Sequence, residues 1–281
     1  MASLSPEINA KLELAVDRMP AFPKSVQKIL DLSRNINCAP KDLITVIEKD
    51  PVMTIKILKV LNSVYYSLPS KITSVNRAVV YIGINTVKNL ALSFAAVGML
   101  PSKNQAGFDI ERYLQHSLVT AGIARQLAHK HGQGQVDPMD CYVAGLLHDF
   151  GKVVFAQFMA AEFQEVLEKS SDRPLHDVEN EIIGVNHAVV GAMLIQRWNF
   201  PDALVDCVRS HHEKPVADSA IAECLYLADT IAKKVIDART DVDSLWRGKH
   251  TGLSLERATL SLGDLSNFVS EAQMFKQASL S

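Results

Sequence analysis

With 281 residues, 48% hydrophobic and 21% charged, the chain has the length for one large domain or two lobes with a buried core, and not the makeup of a disordered segment. A formal net charge of −2 leaves no excess of basic residues to build a polyanion-binding face, so no nucleic-acid partner is expected. No run nears the ~18 apolar residues of a membrane span, and the N-terminus lacks the basic stretch and apolar core of a secretory signal, so no membrane partner is expected either. The four cysteines, Cys38, Cys141, Cys207 and Cys224, have no paired short spacing. They fit neither a disulfide framework nor a zinc ribbon, and a reducing, cytoplasmic setting is the simpler reading.

Helical spacing dominates from the start, and period-2 alternation is scarce. Ile8, Leu12 and Val16 recur every four residues and predict a first amphipathic helix ending before Pro20. Pro23 starts a second helix and Pro40 a third. Asp50 is suited to cap a fourth that opens on Pro51. A loop is predicted around Leu68-Pro69-Ser70, after which Ser74 caps a short helix that Gly83 terminates. Asn85 is expected to cap the next, whose apolar content from Leu90 to Leu100 is nearly all-round and predicts burial on most sides.

The polar, glycine-containing stretch 101–108 is the best candidate boundary. Beyond it the pattern predicts a long helix from Asp109 to His131 and one helix from Pro138 to Ala160. Shorter helices follow at 161–170, 174–184, 186–199 and 201–210, then one at 216–236, with weaker signals around 253–263 and 264–277. The expected architecture is all-α and two-lobed: an N-terminal helical lobe over 1–104, a second lobe over 105–240, and a helical tail over 241–281.

Chemistry concentrates in the second lobe. The stretch YVAGLLHDFGKVVF, Tyr142 to Phe155, sets His148-Asp149 between two apolar blocks. A carboxylate buried there is costly unless something positive satisfies it, and a metal ion is a common solution. Other helices carry an imidazole or carboxylate at an otherwise apolar place: His116, His187, His211-His212 and Asp229. Each alone is ordinary, since a lone buried histidine is more often a hydrogen-bonded core residue than a ligand. As a set they suit a borderline divalent metal held between helices. Successive residues on a helix point about 100° apart. On one continuous helix His148 and Asp149 would therefore need an ion lodged close against it, or two ions bridged by Asp149. The remaining histidines, His129, His131, His176 and His250, are assigned no function.

The segment GLLHDFGK, Gly145 to Lys152, resembles the signature of the HD superfamily of metal-dependent phosphohydrolases. Further upstream, MPAFPKSVQKILDL (19–32), IEKDPVMTIKILKVLNSVYYS (47–67) and SVNRAVVYIGINTVKNLAL (74–92) resemble the HDOD family, the HD-related output domains of bacterial signalling proteins. The resemblance covers roughly Met19 to Lys234. It implies a first metal at His116, His148, Asp149 and Asp229, and a second at His187, His211 and His212. It places Lys152 where a substrate phosphate is contacted. Arg112 stands where a carboxylate would serve a third metal, so at most two divalent ions (Fe, Mn, Zn, Ni or Mg) are expected. His211-His212-Glu213 is followed by Lys214-Pro215-Val216-Ala217, without the Gly-Tyr-Pro element of the cyclic-dinucleotide phosphodiesterases, which counts against cyclic di-GMP hydrolysis.

Two functions follow from the resemblance. One is hydrolysis of a nucleotide or other phosphate ester by metal-activated water, with Asp149 as shared ligand and Lys152, or another cation such as Arg125, offsetting phosphoryl charge. The other is a non-catalytic signalling module, its metal structural or absent, whose N-terminal lobe binds a partner protein.

Overall fold

A computed structural model describes residues 6–34, 39–63, 70–101, 104–215, 219–237 and 247–280. Sixteen helices occupy them, with no strand among the described residues and one isolated bridge between Arg247 and Ser254. The chain is all-α. Among the described residues no single helix is long and apolar enough to cross a membrane. Cys141, Cys207 and Cys224 are free and buried, and Cys38 lies outside the described residues.

Two compact units form, one from residues 1–20 and 100–268, the other from 21–99 and 269–281. The division differs from a split near residue 104 followed by a separate tail. The first helix, α1 (Pro6–Arg18), buries Leu12, Ala15 and Val16 and packs on helices of the larger unit. The Trp198 indole N–H donates to the Pro20 carbonyl at 3.1 Å just beyond it. The last helix, α16 (Ser266–Leu280), begins in the larger unit and ends in the smaller, where Phe275 meets Phe94 with ring centroids 4.5 Å apart.

The smaller unit contains α2 (Lys24–Arg34), α3 (Pro40–Glu48), α4 (Pro51–Leu61), α5 (Val75–Ile82) and α6 (Ile84–Gly98). Its punctuation follows local chemistry. The Asp50 carboxylate accepts the Met53 N–H at 3.0 Å, with Pro51 at the first helical position. Ser74 likewise accepts from Arg77 at 3.2 Å. Gly83, at φ +79°, both ends α5 and begins α6. Asn85 is therefore inside α6 and caps nothing: a left-handed turn needs glycine, and one such residue joins the two helices directly. The helix α6 is buried without interruption from Val87 to Val97. Of the loop predicted around Leu68-Pro69-Ser70, Leu68 and Pro69 lie outside the described residues.

The larger unit is built on α7 (Ile110–His131), which packs against α8 (Pro138–Leu147) and α14 (Ala220–Asp237). Beside them, α9 (Phe150–Phe158) packs on α12 (His187–Arg197), with α10 (Ala160–Lys169), α11 (Leu175–Ile182), α13 (Asp202–Arg209) and α15 (Leu255–Leu262) completing the unit. The helix predicted over 138–160 is in fact two, broken at His148-Asp149. The His148 Nδ1 takes up the Gly145 carbonyl at 2.9 Å. In a continuing helix that carbonyl would accept the Asp149 N–H, so the side chain competes with the backbone ladder. Asp149 then sits at φ −95°, ψ +6°, in the sparsely populated bridge region between helix and strand.

Two glycines let these helices approach. A methyl group on Gly145 would lie 2.6 Å from the Ala121 Cα of α7. One on Gly151 would lie 2.0 Å from the His187 carbonyl oxygen at the start of α12. The contacts through Gly145 and Gly151 bring α8 against α7 and α9 against α12, and so bring their histidines together.

Candidate metal centre

Breaking the helix at His148-Asp149 removes the angular conflict between neighbouring side chains. The His148 Nε2 and Asp149 Oδ2 lie 3.3 Å apart. Around them converge His116 from α7 and Asp229 from α14. The His116 Nε2 is 3.3 Å from the His148 Nε2, 3.6 Å from Asp149 Oδ2 and 3.1 Å from Asp229 Oδ1. His148 Nε2 is 3.6 Å from the same Asp229 oxygen. Two donor atoms bound to one ion at about 2.0–2.2 Å lie about 2.8–3.6 Å from each other. These spacings therefore fit donors around a shared cation better than four unrelated core groups.

The other oxygen of Asp149 faces a second group. Asp149 Oδ1 is 3.0 Å from His187 Nε2 and 3.6 Å from His211 Nε2, and His212 Nε2 is 2.8 Å from His187 Nε2. His187 opens α12, where the Asn186 side chain caps the helix by accepting the Ala188 and Val189 N–H groups. His211 follows α13 and repeats the device used by His148: its Nδ1 bonds the Val208 carbonyl at 2.7 Å, three residues back. That bond leaves the His211 Nε2 lone pair directed inward, buried and without a hydrogen-bond partner. Asp229 Oδ1 is also buried and makes no well-formed hydrogen bond, although the His116 and His148 nitrogens stand 3.1 and 3.6 Å from it. Orphaned acceptors of this kind, in two clusters each able to hold an ion, fit a metal-binding role.

Burial is nearly complete at His148, Asp149, His187 and His211. Two lysines meet the carboxylates from the more open side. Lys152 lies 2.6 Å from Asp149 Oδ2 and Lys233 lies 2.5 Å from Asp229 Oδ2. Burial disfavours charge on Asp149, but His148 and Lys152 beside it prevail and hold its carboxyl well below the usual range. Asp229 is buried too, and Lys233 with His116 and His148 keeps it low. Burial also works against protonating His148, yet the adjacent Asp149 and Asp229 raise it to about 9. Burial pushes His116 down despite Asp229. His211 falls to about 3 through burial and the nearby His148 and His187, and burial with His211 and His187 lowers His212.

Without a metal, the first cluster, His116, His148, Asp149 and Asp229, thus carries two carboxylates and one imidazolium proton, on His148, at neutral pH. Ligation by His148 must expel that proton, whereas Asp149, Asp229, His116, His211 and His212 have none to give up. Binding of an ion at the first cluster should therefore release about one proton at pH 7, and its apparent affinity should rise about tenfold per pH unit up to about pH 9, then level. Calorimetric titration in two buffers of different ionisation enthalpy measures the release. A flat affinity with no proton uptake by buffer would contradict it.

All seven predicted ligand positions, His116, His148, Asp149, His187, His211, His212 and Asp229, come together here, and Lys152 reaches the shared carboxylate. Two neighbours were not anticipated. His176, on α11, stacks on His212 with ring centroids 4.1 Å apart and planes 13° from parallel. Glu179, also on α11, is wholly buried and bonds His187. The sequence does not single it out: Glu179 lies four residues before the apolar Ile183, but it alternates with Asp177 and Glu181, both exposed, and Glu181 pairs outward with Arg173.

A family model for the HDOD domain matches residues 19–214. The chain belongs to the HDOD family. Relatives of this HDOD chain include an uncharacterized protein of Treponema pallidum (strain Nichols), 30% identical over 207 residues, which are 72% of this chain and 39% of that one. Ribonuclease Y of Opitutus terrae is 30% identical over 131 residues, 47% of this chain and 20% of the enzyme. The HDOD chain therefore spans less than half the length of either relative. Among solved structures, a candidate phosphohydrolase from Shewanella amazonensis SB2B shares the fold with a TM-score of 0.71 at 24% identity, over 96% of this chain and 98% of that one.

Proposed function

We propose that this HDOD protein is a metal-dependent phosphohydrolase acting on a phosphate ester. His116, His148, Asp149 and Asp229 would hold one divalent ion; Asp149, His187, His211 and His212 would hold a second. The observation that supports this most is the orientation of Asp149, whose two oxygens face two separate sets of imidazole nitrogens. A site needed only to hold the fold together has no use for such a shared carboxylate. The imidazole-rich donor set suits Mn, Fe, Ni or Zn better than Mg, which favours oxygen. When bound, a pair of such ions supplies a water ionised near neutral pH and positive charge at the phosphoryl group.

The chain's own residues would do the rest. Asp149 fixes the spacing between the two clusters. Lys152 and Lys233, less buried than the ligands, would balance the carboxylates and offset charge on phosphoryl oxygens. The likeness to ribonuclease Y adds phosphodiesters to the substrates worth testing. The test is incubation of fully metal-loaded protein with phosphomonoesters, cyclic dinucleotides and short RNA, beside the Asp149→Ala variant. Loaded protein that releases nothing beyond what Asp149→Ala releases would overturn the reading.

One observation favours a second reading, a signalling module with a protein partner. In the smaller unit Val52, Ile55, Val80 and Tyr81 are large apolar side chains left exposed on α4 and α5. If partner binding is lost in Ile55→Asp and Val80→Asp while Asp149→Ala leaves signalling intact, the module reading replaces the enzymatic one.

A further inference from the structure

Glu179 makes an unusual pair of bonds. Its Oε2 accepts the backbone N–H of His187 at 2.8 Å and the same residue's imidazole Nδ1–H at 2.6 Å. Both groups are sequestered, with side-chain exposures of 1% for His187 and 0% for Glu179. A carboxylate only accepts, so the hydrogen is placed on Nδ1 and the Nε2 lone pair is turned toward Asp149 Oδ1 and His212 Nε2. The backbone bond and the ring bond act on one residue from one oxygen. They fix where α12 begins and how the His187 ring is rotated about its own bond to the chain.

Capping α12 accounts for only the backbone half of this arrangement, since Glu179 takes the first N–H of the helix, and it leaves the ring bond unexplained. Asn186 already caps that helix through two N–H groups. Glu179 Oε1 is buried with no hydrogen-bond partner. A half-satisfied carboxylate this deep is costly unless positive charge stands nearby. The ring it grips offers a route for that charge: a cation on Nε2 makes the Nδ1–H more acidic and strengthens its bond to the carboxylate. Glu179 and His187 would then link α11 to an ion held in the second cluster.

We propose that Glu179 is a positioning residue for the second metal ion, holding His187 in the tautomer and rotation in which Nε2 is a ligand. This rests on the two-ion reading of the centre. It touches neither substrate nor the first cluster, so its effect should be confined to one ion. Glu179→Gln keeps the shape but removes the charge. Loss of such an outer partner typically costs about 10–100-fold in metal affinity.

The experiment is titration of the metal-stripped full chain with Co2+, read by bound-metal stoichiometry and by the visible spectrum of each ion as it binds. Wild type should take two ions. Glu179→Gln should bind the first unchanged and the second about 10–100-fold more weakly. In His187→Ala, adding Glu179→Gln should cause no further loss. A merely structural role would weaken both ions together or neither, and either result overturns the proposal. Unchanged binding of two ions in Glu179→Gln leaves the two-ion centre standing and removes Glu179 from it. Wild type that takes no ion brings down both the two-ion reading and this proposal. Should Glu179→Gln not fold, nitrogen chemical shifts of His187 in the metal-free wild type decide the matter: the Nδ1–H form supports the proposal, and the Nε2–H form overturns it.

Discussion

Replacing Asp149 with alanine should strip the protein of both ions at once and lower phosphoester release by about a thousandfold or more, since each ion contributes several kcal/mol of charge stabilisation. The expectation comes from one side chain serving two clusters. Asp149 Oδ2 stands 3.3–3.6 Å from the nitrogens of His148 and His116, and Oδ1 stands 3.0–3.6 Å from those of His187 and His211. Variants on one side only should separate the ions. His116→Ala should lose the first and keep the second, and His187→Ala should do the reverse. The measurement is metal content after gel filtration, paired with the rate on whichever phosphoester the wild type cleaves. Asp149→Ala protein that retains one full equivalent would show that the two clusters do not share this carboxylate. Removing the anion also strands Lys152, whose ammonium pairs with Asp149 at 2.6 Å. Part of any loss of folding stability should therefore be recovered in Asp149→Ala/Lys152→Met, where neither charge is left unpaired.

How far this centre could be read from the sequence depends on what each residue does locally. His116, His187 and Asp229 were legible because each interrupts an apolar helical stripe, and polar residues on such stripes are conspicuous. The caps at Asp50 and Ser74 were legible because capping is a contact between residues three apart. The break at His148-Asp149 was not. No proline or glycine stands at it, and it arises because the His148 ring takes the Gly145 carbonyl, which the backbone ladder could equally have claimed. Glu179 was hidden among three alternating acidic residues, Asp177, Glu179 and Glu181, of which only the middle one is buried. The placement of α1 with the larger unit was equally out of reach. Its amphipathic face needed a partner, but the partner is α12, far along the chain. Caps were visible, whereas a side chain competing for its own helix's carbonyl and pairings between distant helices were not.

Gly151→Ala should be the most disruptive single methyl group in the protein. The added carbon would meet the His187 carbonyl oxygen at 2.0 Å, its carbonyl carbon at 2.8 Å and the Gly191 nitrogen at 2.9 Å. All three are backbone atoms, so no side-chain rotamer can relieve the clash and α9 must part from α12. Overpacking a core ordinarily costs about 1–3 kcal/mol, and a clash with backbone belongs at or above the top of that range. For a unit of this size about 3 kcal/mol lowers the melting temperature by roughly 6–12 °C. The methyl would press on the residue that carries the second cluster's first imidazole, so His187 must move with it. A misplacement of about 1 Å in such a site lowers rate about a hundredfold. Gly98→Ala supplies the control: its added carbon meets nothing within 4 Å, at the end of α6. In a helix that change should be neutral or stabilise by about 0.4–1 kcal/mol. Thermal unfolding of the two variants side by side, with metal content measured for each, separates a specific collision at the α9–α12 contact from a general intolerance of alanine. If Gly151→Ala melts within a degree or two of wild type, the close approach of these helices is not what sets His187 against Asp149.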